Sequence, residues 1–341
     1  MPKKNKENNK SLFKTPHKIP IYNENPYGTI SQNNALNNIF RVNDKHNTKE
    51  LPFNKKKIQT DAVTAITKAT HLGLAEAQML DYINYKFNQL ADHEHINKFI
   101  FTLKEYMKDT GRKDPKSART AIKQRLDTIA STTYSYSGGD KKNPYNQSFG
   151  SHPLLGYDYL RGGKVRIELT DFFHDLLVYS SMPMAYCKLA FKLDPRKDAT
   201  ALYILRALLE NKRINKTSPR SNRMRVKTLL EKIPSLPSYD EVMGSNGNVY
   251  DRIISPVFEG VERLAKPDEG AFIRYSFMDK DAKPLDYDSI DYDSFINADL
   301  IIEEWNQYPE EDLEKWDKKQ KEIIKKNQKK KEKRTKKKQD N

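Results

Sequence analysis

Apolar residues recur at helical spacing in several stretches of this 341-residue chain, and the stretches between 74 and 170 form one group. The first helix of the group shows the pattern best, because Leu80, Ile83, Phe87 and Leu90 follow one another at intervals of three or four. Capping-box and Asp-Pro sequences mark where two further helices begin, and alternating apolar residues mark a strand. The elements predicted are a helix at 74–90, a strand at 96–101, helices at 102–110 and 116–130, and a strand at 164–169.

A second group of stretches repeats much of this order between 198 and 302. Five apolar residues between 201 and 209 keep helical spacing and predict its first helix. A capping-box sequence at 238–241 opens a short turn, and Pro256 must kink the last helix or restart it. The other elements predicted are helices at 225–233 and 249–265 and strands at 271–278 and 296–302. Helix, strand, helix, helix and hairpin is a DNA-reading order, so we predict a helix-rich α+β fold with two tandem winged-helix domains.

Composition divides the chain into four parts. Residues 1–57 are rich in Asn, Lys and Pro without periodicity, which predicts a disordered basic arm. We expect the first winged-helix domain at 58–180 and the second, with an acidic insert, at 181–308. Prolines interrupt any helix at 180–195, so a hinge is expected there. Residues 309–341 form a charged, lysine-rich tail, with a helix expected near Trp316 and disorder beyond it.

The formal net charge of +15 is distributed unevenly. Residues 1–20 carry +5, residues 284–317 carry −11 and residues 318–341 carry +10, which leaves +11 for residues 21–283. The part expected to fold is therefore basic without its tails. A basic folded body favours a polyanionic partner, most commonly nucleic acid, although a lysine-rich solvated surface is the alternative.

Four stretches supply side chains suited to DNA. The outward face of the helix at 116–130 combines cations with Thr and Gln, which match base edges, and residues 206–227 hold eight cations against one glutamate, which suits phosphates. An ordinary charged surface is the alternative for each. The residues predicted to contact DNA are Lys116, Arg119, Thr120, Lys123 and Gln124 on that helix, Lys141 and Lys142 in the following loop, Arg220, Arg223, Arg225 and Lys227 in the basic stretch, and Arg252, Ser255 and Arg263 on the helix at 249–265.

Signatures of catalysis and of metal or cofactor binding are scarce. The chain has no phosphate-loop motif, and the acidic segment 286–293 lacks the spacing of a calcium-binding loop. His93-Glu-His95 is the one close histidine pair, and it keeps a nicking relaxase open as a minor alternative. Cys187 is expected to be buried, and no stretch is apolar enough to span a membrane. We predict a cytoplasmic protein that is not an enzyme and needs no cofactor or metal.

Parts of the second group resemble plasmid replication initiators of the two-winged-helix type. The stretches that carry the resemblance are 191–205, 225–231 and 253–261, and it extends over 63–302. It implies binding of double-stranded DNA at origin repeats, recruitment of a host replication initiator or helicase, and a homodimer in some members. In such proteins the first domain often carries the dimer contact.

The function that we predict is sequence-specific binding of double-stranded DNA to initiate replication of a plasmid or mobile element. This function implies a bacterial protein associated with the nucleoid or a plasmid. A transcriptional or copy-number regulator with the same fold is the alternative, because both functions need the same groove contacts.

Overall fold

The computed structural model describes residues 25–33, 36–37, 72–132, 134–138, 147–245, 247–266, 272–287 and 290–339. They form a mixed α+β fold in which helices predominate, as predicted. The first element is strand β1 (Tyr27–Gln32), and two groups of elements that share one arrangement follow it. We refer to these groups as the first module (residues 74–169) and the second module (residues 199–305).

The first module has the predicted order of elements. It consists of α1 (Leu74–Asn88), β2 (Lys98–Thr102), α2 (Leu103–Thr110), α3 (Pro115–Ser131), a hairpin of β3 (Tyr134–Gly138) and β4 (Gln147–Ser151), and a hairpin of β5 (Leu154–Leu160) and β6 (Lys164–Leu169). Strands β2, β6 and β5 form one antiparallel sheet with β6 in the middle, whereas β3 and β4 pair only with each other. The helices pack on this sheet and bury the apolar stripes of both layers.

Local sequence signals fix where α2 and α3 begin and end. The Thr102 hydroxyl accepts from the Glu105 N–H at 3.1 Å, and the Glu105 carboxylate accepts from the Thr102 N–H at 2.7 Å, which is a complete capping box. Gly111 ends α2 at φ 69°, a left-handed conformation that glycine adopts without steric cost. The Asp114 carboxylate accepts from the N–H groups of Lys116 and Ser117 at 3.1 and 2.8 Å and thereby caps α3.

The connection between the modules corrects two predictions. It contains α4 (Asp171–Tyr179), β7 (Met182–Cys187) and α5 (Leu189–Lys192), and the last five residues of β7 are buried, so residues 182–187 are a core strand in the segment expected to be a hinge. Strand β7 pairs with β1, which lies within the arm that we expected to be disordered. Tyr27 and Ile30 anchor β1 in the core, and Gly28 lies so close to the Tyr85 ring that a Cβ would come within 2.1 Å of it. The surrounding Asn and Lys residues hide this short apolar signal.

The second module repeats the sheet order of the first. It consists of α6 (Ala199–Ile214), β8 (Arg223–Arg225), α7 (Val226–Leu230), α8 (Tyr239–Gly244), a π-helical turn (Tyr250–Ile254) that continues into α9 (Ser255–Ala265), β9 (Ile273–Met278), α10 (Tyr292–Asn297) and β10 (Asp299–Trp305). The last strand, β10, again lies between the other two. Pro256 lies in the first turn of α9, directly after the π-helical turn, so the helical hydrogen-bond pattern changes next to the proline. At three residues, β8 is too short to show an alternating pattern, and the sequence did not predict it.

The chain ends in one long helix, α11 (Glu310–Gln339), which continues well beyond the helix expected near Trp316. Its early residues Leu313 and Ile323 are buried against the rest of the protein. The two modules also meet directly, where Arg206 of α6 reaches Asp81 of α1. The expected domain boundaries stay predictions.

Candidate nucleic-acid interface

Helix α3 exposes the face that the sequence predicted. Ala118, Ile122, Leu126 and Ile129 on its inner side are fully buried. The predicted base-reading residues Lys116, Arg119, Thr120, Lys123 and Gln124 are all exposed. Among the described residues, no carboxylate pairs with any of the three cations in this set. The face therefore carries uncompensated positive charge beside uncharged hydrogen-bonding groups.

A groove separates α3 from the β5–β6 hairpin. It has a volume of about 460 Å³ and is lined by Arg119, Thr120 and Lys123 of α3, by Tyr159 and Leu160 of β5, and by the hairpin turn with Lys164. Gly162 and Gly163 form the turn at φ 77° and 70°, which side-chain-bearing residues rarely adopt. The Gly163 carbonyl accepts from the Leu103 N–H at 2.7 Å, so the turn is held against the start of α2.

Two exposed cations of this hairpin, Arg161 and Lys164, were not among the predicted contacts. Lys141 and Lys142, which were predicted to contact DNA from the loop after the helix at 116–130, lie outside the described residues. The hairpin that faces α3 is instead the later one, β5–β6. The Arg161-Gly-Gly-Lys164 sequence itself was the available signal, because a glycine turn flanked by cations suits a tip that contacts phosphates.

The hairpin is tied to α3 by a hydrogen bond from the Tyr157 hydroxyl to the Asp127 carboxylate. Burial, together with this bond and the charge of Asp127, raises the pKa of Tyr157 to about 12, so the phenol remains a donor near neutral pH. On the outer face of the sheet, Lys98 pairs with Glu168 at 2.8 Å and Arg166 pairs with Asp158. Lys98 and Arg166 on the outer face are therefore paired, whereas the cations on the groove side have no carboxylate partner among the described residues.

The basic stretch 206–227 differs from its prediction in its first half. Arg206 is 2% exposed and binds Asp81 at 2.5 Å and Glu210 at 3.2 Å. Three further cations pair with the early part of α11: Lys212 with Glu310 at 2.9 Å, and Arg213 and Lys216 with Asp317. The charges within residues 206–227 could not reveal these pairs, because Glu310 and Asp317 lie about a hundred residues further along the chain.

The second half of that stretch remains accessible. Arg220, Arg225 and Lys227 are exposed, and no carboxylate among the described residues pairs with them. Arg223 is also exposed, at 56% of its side chain, but its guanidinium pairs with Asp299 of β10. Asp299 partly compensates the positive charge of Arg223. The role of these four cations in DNA binding stays a prediction.

The predicted DNA contacts on α9 and on the π-helical turn before it bind other side chains of the protein. Arg252 donates to the Ser245 hydroxyl at 2.8 Å, Ser255 donates to Glu259 at 2.9 Å, and Arg263 pairs with Asp198 at 3.1 Å. Glu259 and Asp251 are exposed on the same surface. The structure therefore places the three predicted contacts of this helix beside acids that repel phosphates.

No family model matches the sequence, and the comparison with curated proteins gives no match. Several solved structures show a limited similarity to the chain. The Pi initiator protein in complex with iteron DNA has a TM-score of 0.46 and 11% identity over 82% of this chain and 100% of that one. Two structures of domains 2 and 3 of RctB have TM-scores of 0.39 and 0.38, with 13% and 12% identity over 79% and 74% of this chain and 98% and 93% of theirs.

The histidine pair lies in a short 3₁₀ helix between α1 and β2, in which His95 is exposed. His93 is buried, and its Nδ1 lies 3.1 Å from the Leu90 carbonyl oxygen. Burial lowers the pKa of His93, so it is neutral near pH 7. Among the described residues, no three His, Cys, Asp or Glu side chains come together as a metal site would require, and no helix is long and apolar enough to cross a membrane. Cys187 is fully buried, and burial raises the pKa of its thiol.

Proposed function

We propose that the protein binds double-stranded DNA in a sequence-specific manner and initiates replication of a plasmid or similar mobile element. In this proposal, the two modules are tandem winged helices and the protein acts without catalysis. The observation that carries it is the groove of the first module, where Arg119, Lys123 and Lys164 converge without carboxylate partners among the described residues.

The dimensions of α3 suit the major groove of DNA. Its 17 residues give a length of about 26 Å, and a helix of about 10–12 Å diameter fits a groove about 12 Å wide. Arg119 and Lys123 lie one turn apart, with Thr120 and Gln124 beside them, so cations and amide or hydroxyl groups face the same base edges. This combination suits readout of guanine and adenine.

The β5–β6 hairpin complements this helix. With α3 in the major groove, the turn with Arg161 and Lys164 would meet the neighbouring backbone, where cations fix register by neutralising phosphates. The bond between Tyr157 and Asp127 holds the hairpin at a fixed distance from α3. We infer that helix and hairpin bind as one rigid unit.

The initiator role also includes partners beyond DNA. By resemblance, we propose that the protein recruits a host replication initiator or helicase and that some of it forms a homodimer. The exposed apolar residues Ile100 and Leu155 lie on β2 and β5 of the first module, away from its buried core, and offer a surface for such contacts.

Binding-site mapping tests the proposal. Footprinting on the DNA around the coding sequence should protect direct repeats of about 20 bp, two helical turns, beside an AT-rich stretch. At those repeats, Arg119→Ala should weaken binding by about 1–3 kcal/mol and have a much smaller effect on random DNA. Lys280→Ala, which removes one exposed charge at the β9–β10 connection, is the matched control and should bind normally.

Two outcomes would contradict the proposal. Protection confined to an inverted repeat at a promoter, with no effect on replication, would indicate a regulator instead. Equal loss for Arg119→Ala on mapped and random DNA would make Arg119 a phosphate contact and move base readout elsewhere.

A further inference from the structure

Helix α11 consists of two parts with different chemistry. Its first part, up to Ile324, includes buried apolar residues and specific polar contacts to both modules. After Ile324 the chain holds ten Lys and Arg against two acids, Glu332 and Asp340, and it has no aliphatic, aromatic or sulfur-containing residue. The helix nevertheless continues to Gln339.

The first part fixes the direction of the helix. At its start, Glu310 pairs with Lys212 at 2.9 Å, and Asp317 binds both Arg213 and Lys216, so this end is attached to the second module. One turn later, Gln320 donates to the carbonyl oxygen of Val178 in α4. The helix therefore runs from the second module to the connection between the modules.

The contact with the first module lies at one end of its sheet. Lys319 donates to the Ala91 carbonyl at 3.3 Å, and Gln320 contacts residues after α4. Ala91 precedes β2 and α4 follows β6, so both lie near the end of the sheet where Lys98 is paired with Glu168. The hairpin turn that lines the groove lies at the opposite end of the sheet, where Thr102 is paired with Lys164. Helix α11 thus meets the first module away from that groove.

The second part of α11, after Ile324, has no apolar side chain to bury and carries a high density of positive charge. Lys325, Lys326 and Lys329 are exposed, and none of them pairs with a carboxylate among the described residues. Like charges three or four positions apart destabilise an isolated helix. A polyanion removes this repulsion, and a helix held in place by its first part loses less conformational entropy on binding than a free tail does.

We propose that residues 325–338 of α11 form a second DNA-binding element, which contacts the phosphate backbone of duplex DNA without reading its sequence. Duplex DNA is the favoured polyanion because the first module would already hold it nearby at a high effective concentration, and this choice of partner rests on the proposed function. Because it leaves the protein away from the groove, the element contacts DNA outside the base pairs that α3 reads.

The test compares the full chain with a chain that ends at Ile324, which keeps every anchoring contact described above. Binding to a random-sequence 30-bp duplex is measured by fluorescence anisotropy between 50 and 200 mM salt. A full chain with Lys325, Lys326 and Lys329 replaced by Gln is the second variant. Three lost phosphate contacts lower the slope of log affinity against log salt by about 2.7, so the affinity of the full chain should fall about 40-fold more than that of this variant. For the chain that ends at Ile324, the slope should decrease by at least the same amount.

Controls separate this inference from the proposed function. Lys280→Gln with Lys283→Gln removes exposed charge elsewhere and should leave the slope nearly unchanged. Arg119→Ala tests the groove alone, so loss of slope on removing the tail in the Arg119→Ala background would support the lysine helix even if the groove does not read DNA. An unchanged slope in both tail variants, with an unchanged melting temperature, would overturn the inference. So would tail-dependent binding to RNA or anionic vesicles with none to DNA.

Discussion

The contact between the two modules depends on a buried charge cluster that a single substitution can break. Arg206 of α6 donates to Asp81 of α1 at 2.5 Å, to Glu210 at 3.2 Å and to Asn37 at 3.1 Å. Its guanidinium also lies 5.6 Å from the centre of the Tyr186 ring. Four chain segments therefore meet on one buried cation. Arg206→Met keeps most of the apolar volume and removes the charge and all of these donors.

The expected loss of unfolding free energy depends on the buried carboxylates that Arg206→Met leaves without a partner. The side chains of Asp81 and Glu210 are 8% and 1% exposed, so Arg206→Met leaves two desolvated carboxylates without their main partner. Removing one member of a buried ion pair costs about 3–5 kcal/mol, and we expect a loss of unfolding free energy in that range near pH 8. Lys232, 3.5 Å from Glu210, can compensate for one of the two charges, which favours the lower end.

The loss should also depend on pH. Burial raises the pKa of Asp81 in the folded protein, and Arg206 opposes this effect. Without Arg206 the folded pKa rises further above the unfolded value, so protonation of Asp81 stabilises the folded variant at low pH. That contribution is lost as the pH rises through the folded pKa. Arg206→Met should therefore be less destabilising at pH 5 than at pH 8.

Urea unfolding followed by circular dichroism and by Trp305 and Trp316 fluorescence measures both effects. Adding Asp81→Leu to Arg206→Met should recover part of the lost stability, because it removes an unpaired buried charge. Lys216→Met is the matched control, since its ion pair with Asp317 is more exposed and should contribute less than about 1 kcal/mol. A free energy of unfolding for Arg206→Met within about 0.5 kcal/mol of that of the unsubstituted chain at pH 8 would show that the buried cluster does not hold the modules together, because even the smallest effect expected for a buried pair is larger.

Two further predictions concern DNA and chemistry. Replacing Arg225 and Lys227 with Ala should flatten the salt dependence of binding to any duplex by about 1.8 units of slope, and adding Arg223→Ala should change it less per residue because Asp299 already pairs with Arg223; an unchanged slope in anisotropy titrations would show that this surface faces away from DNA. The protein should neither nick supercoiled DNA nor hydrolyse ATP in gel and phosphate-release assays, and a covalent protein–DNA adduct formed with magnesium or manganese would favour a relaxase instead.

Sequence patterns predicted the first module well where the signal is local. The capping residues Thr102, Asp114 and Ser238 are all observed as helix caps, because a cap needs only the three following residues. The buried stripe of α3 follows equally from spacing along one helix. Strand β1 was missed because its pairing partner, β7, lies about 150 residues later and supplies the burial that its own sequence does not indicate.

The candidate site was harder to predict because charge is not a local property. A run of cations at 206–227 looks like one surface in sequence, yet Asp81, Glu310 and Asp317 neutralise half of it from distant parts of the chain. The opposite error occurred at Lys164, which only the fold brings beside α3. Whether a cation is available to DNA depends on where the carboxylates lie after folding.

The two modules share a fold but differ in the charge of the surfaces that correspond. In the first module, the helix after the short α2 presents cations that no carboxylate pairs with among the described residues, and the facing hairpin turn adds two more. In the second, the corresponding helix α9 presents Glu259, and the π-helical turn before it presents Asp251. The connection between β9 and β10 includes exposed Asp281, Asp286, Asp291 and Asp293. Because phosphates avoid carboxylates, we infer that base readout belongs to the first module. We propose that the second module contributes backbone contacts through Arg225 and Lys227. It also anchors the start of α11 through Lys212 and Arg213.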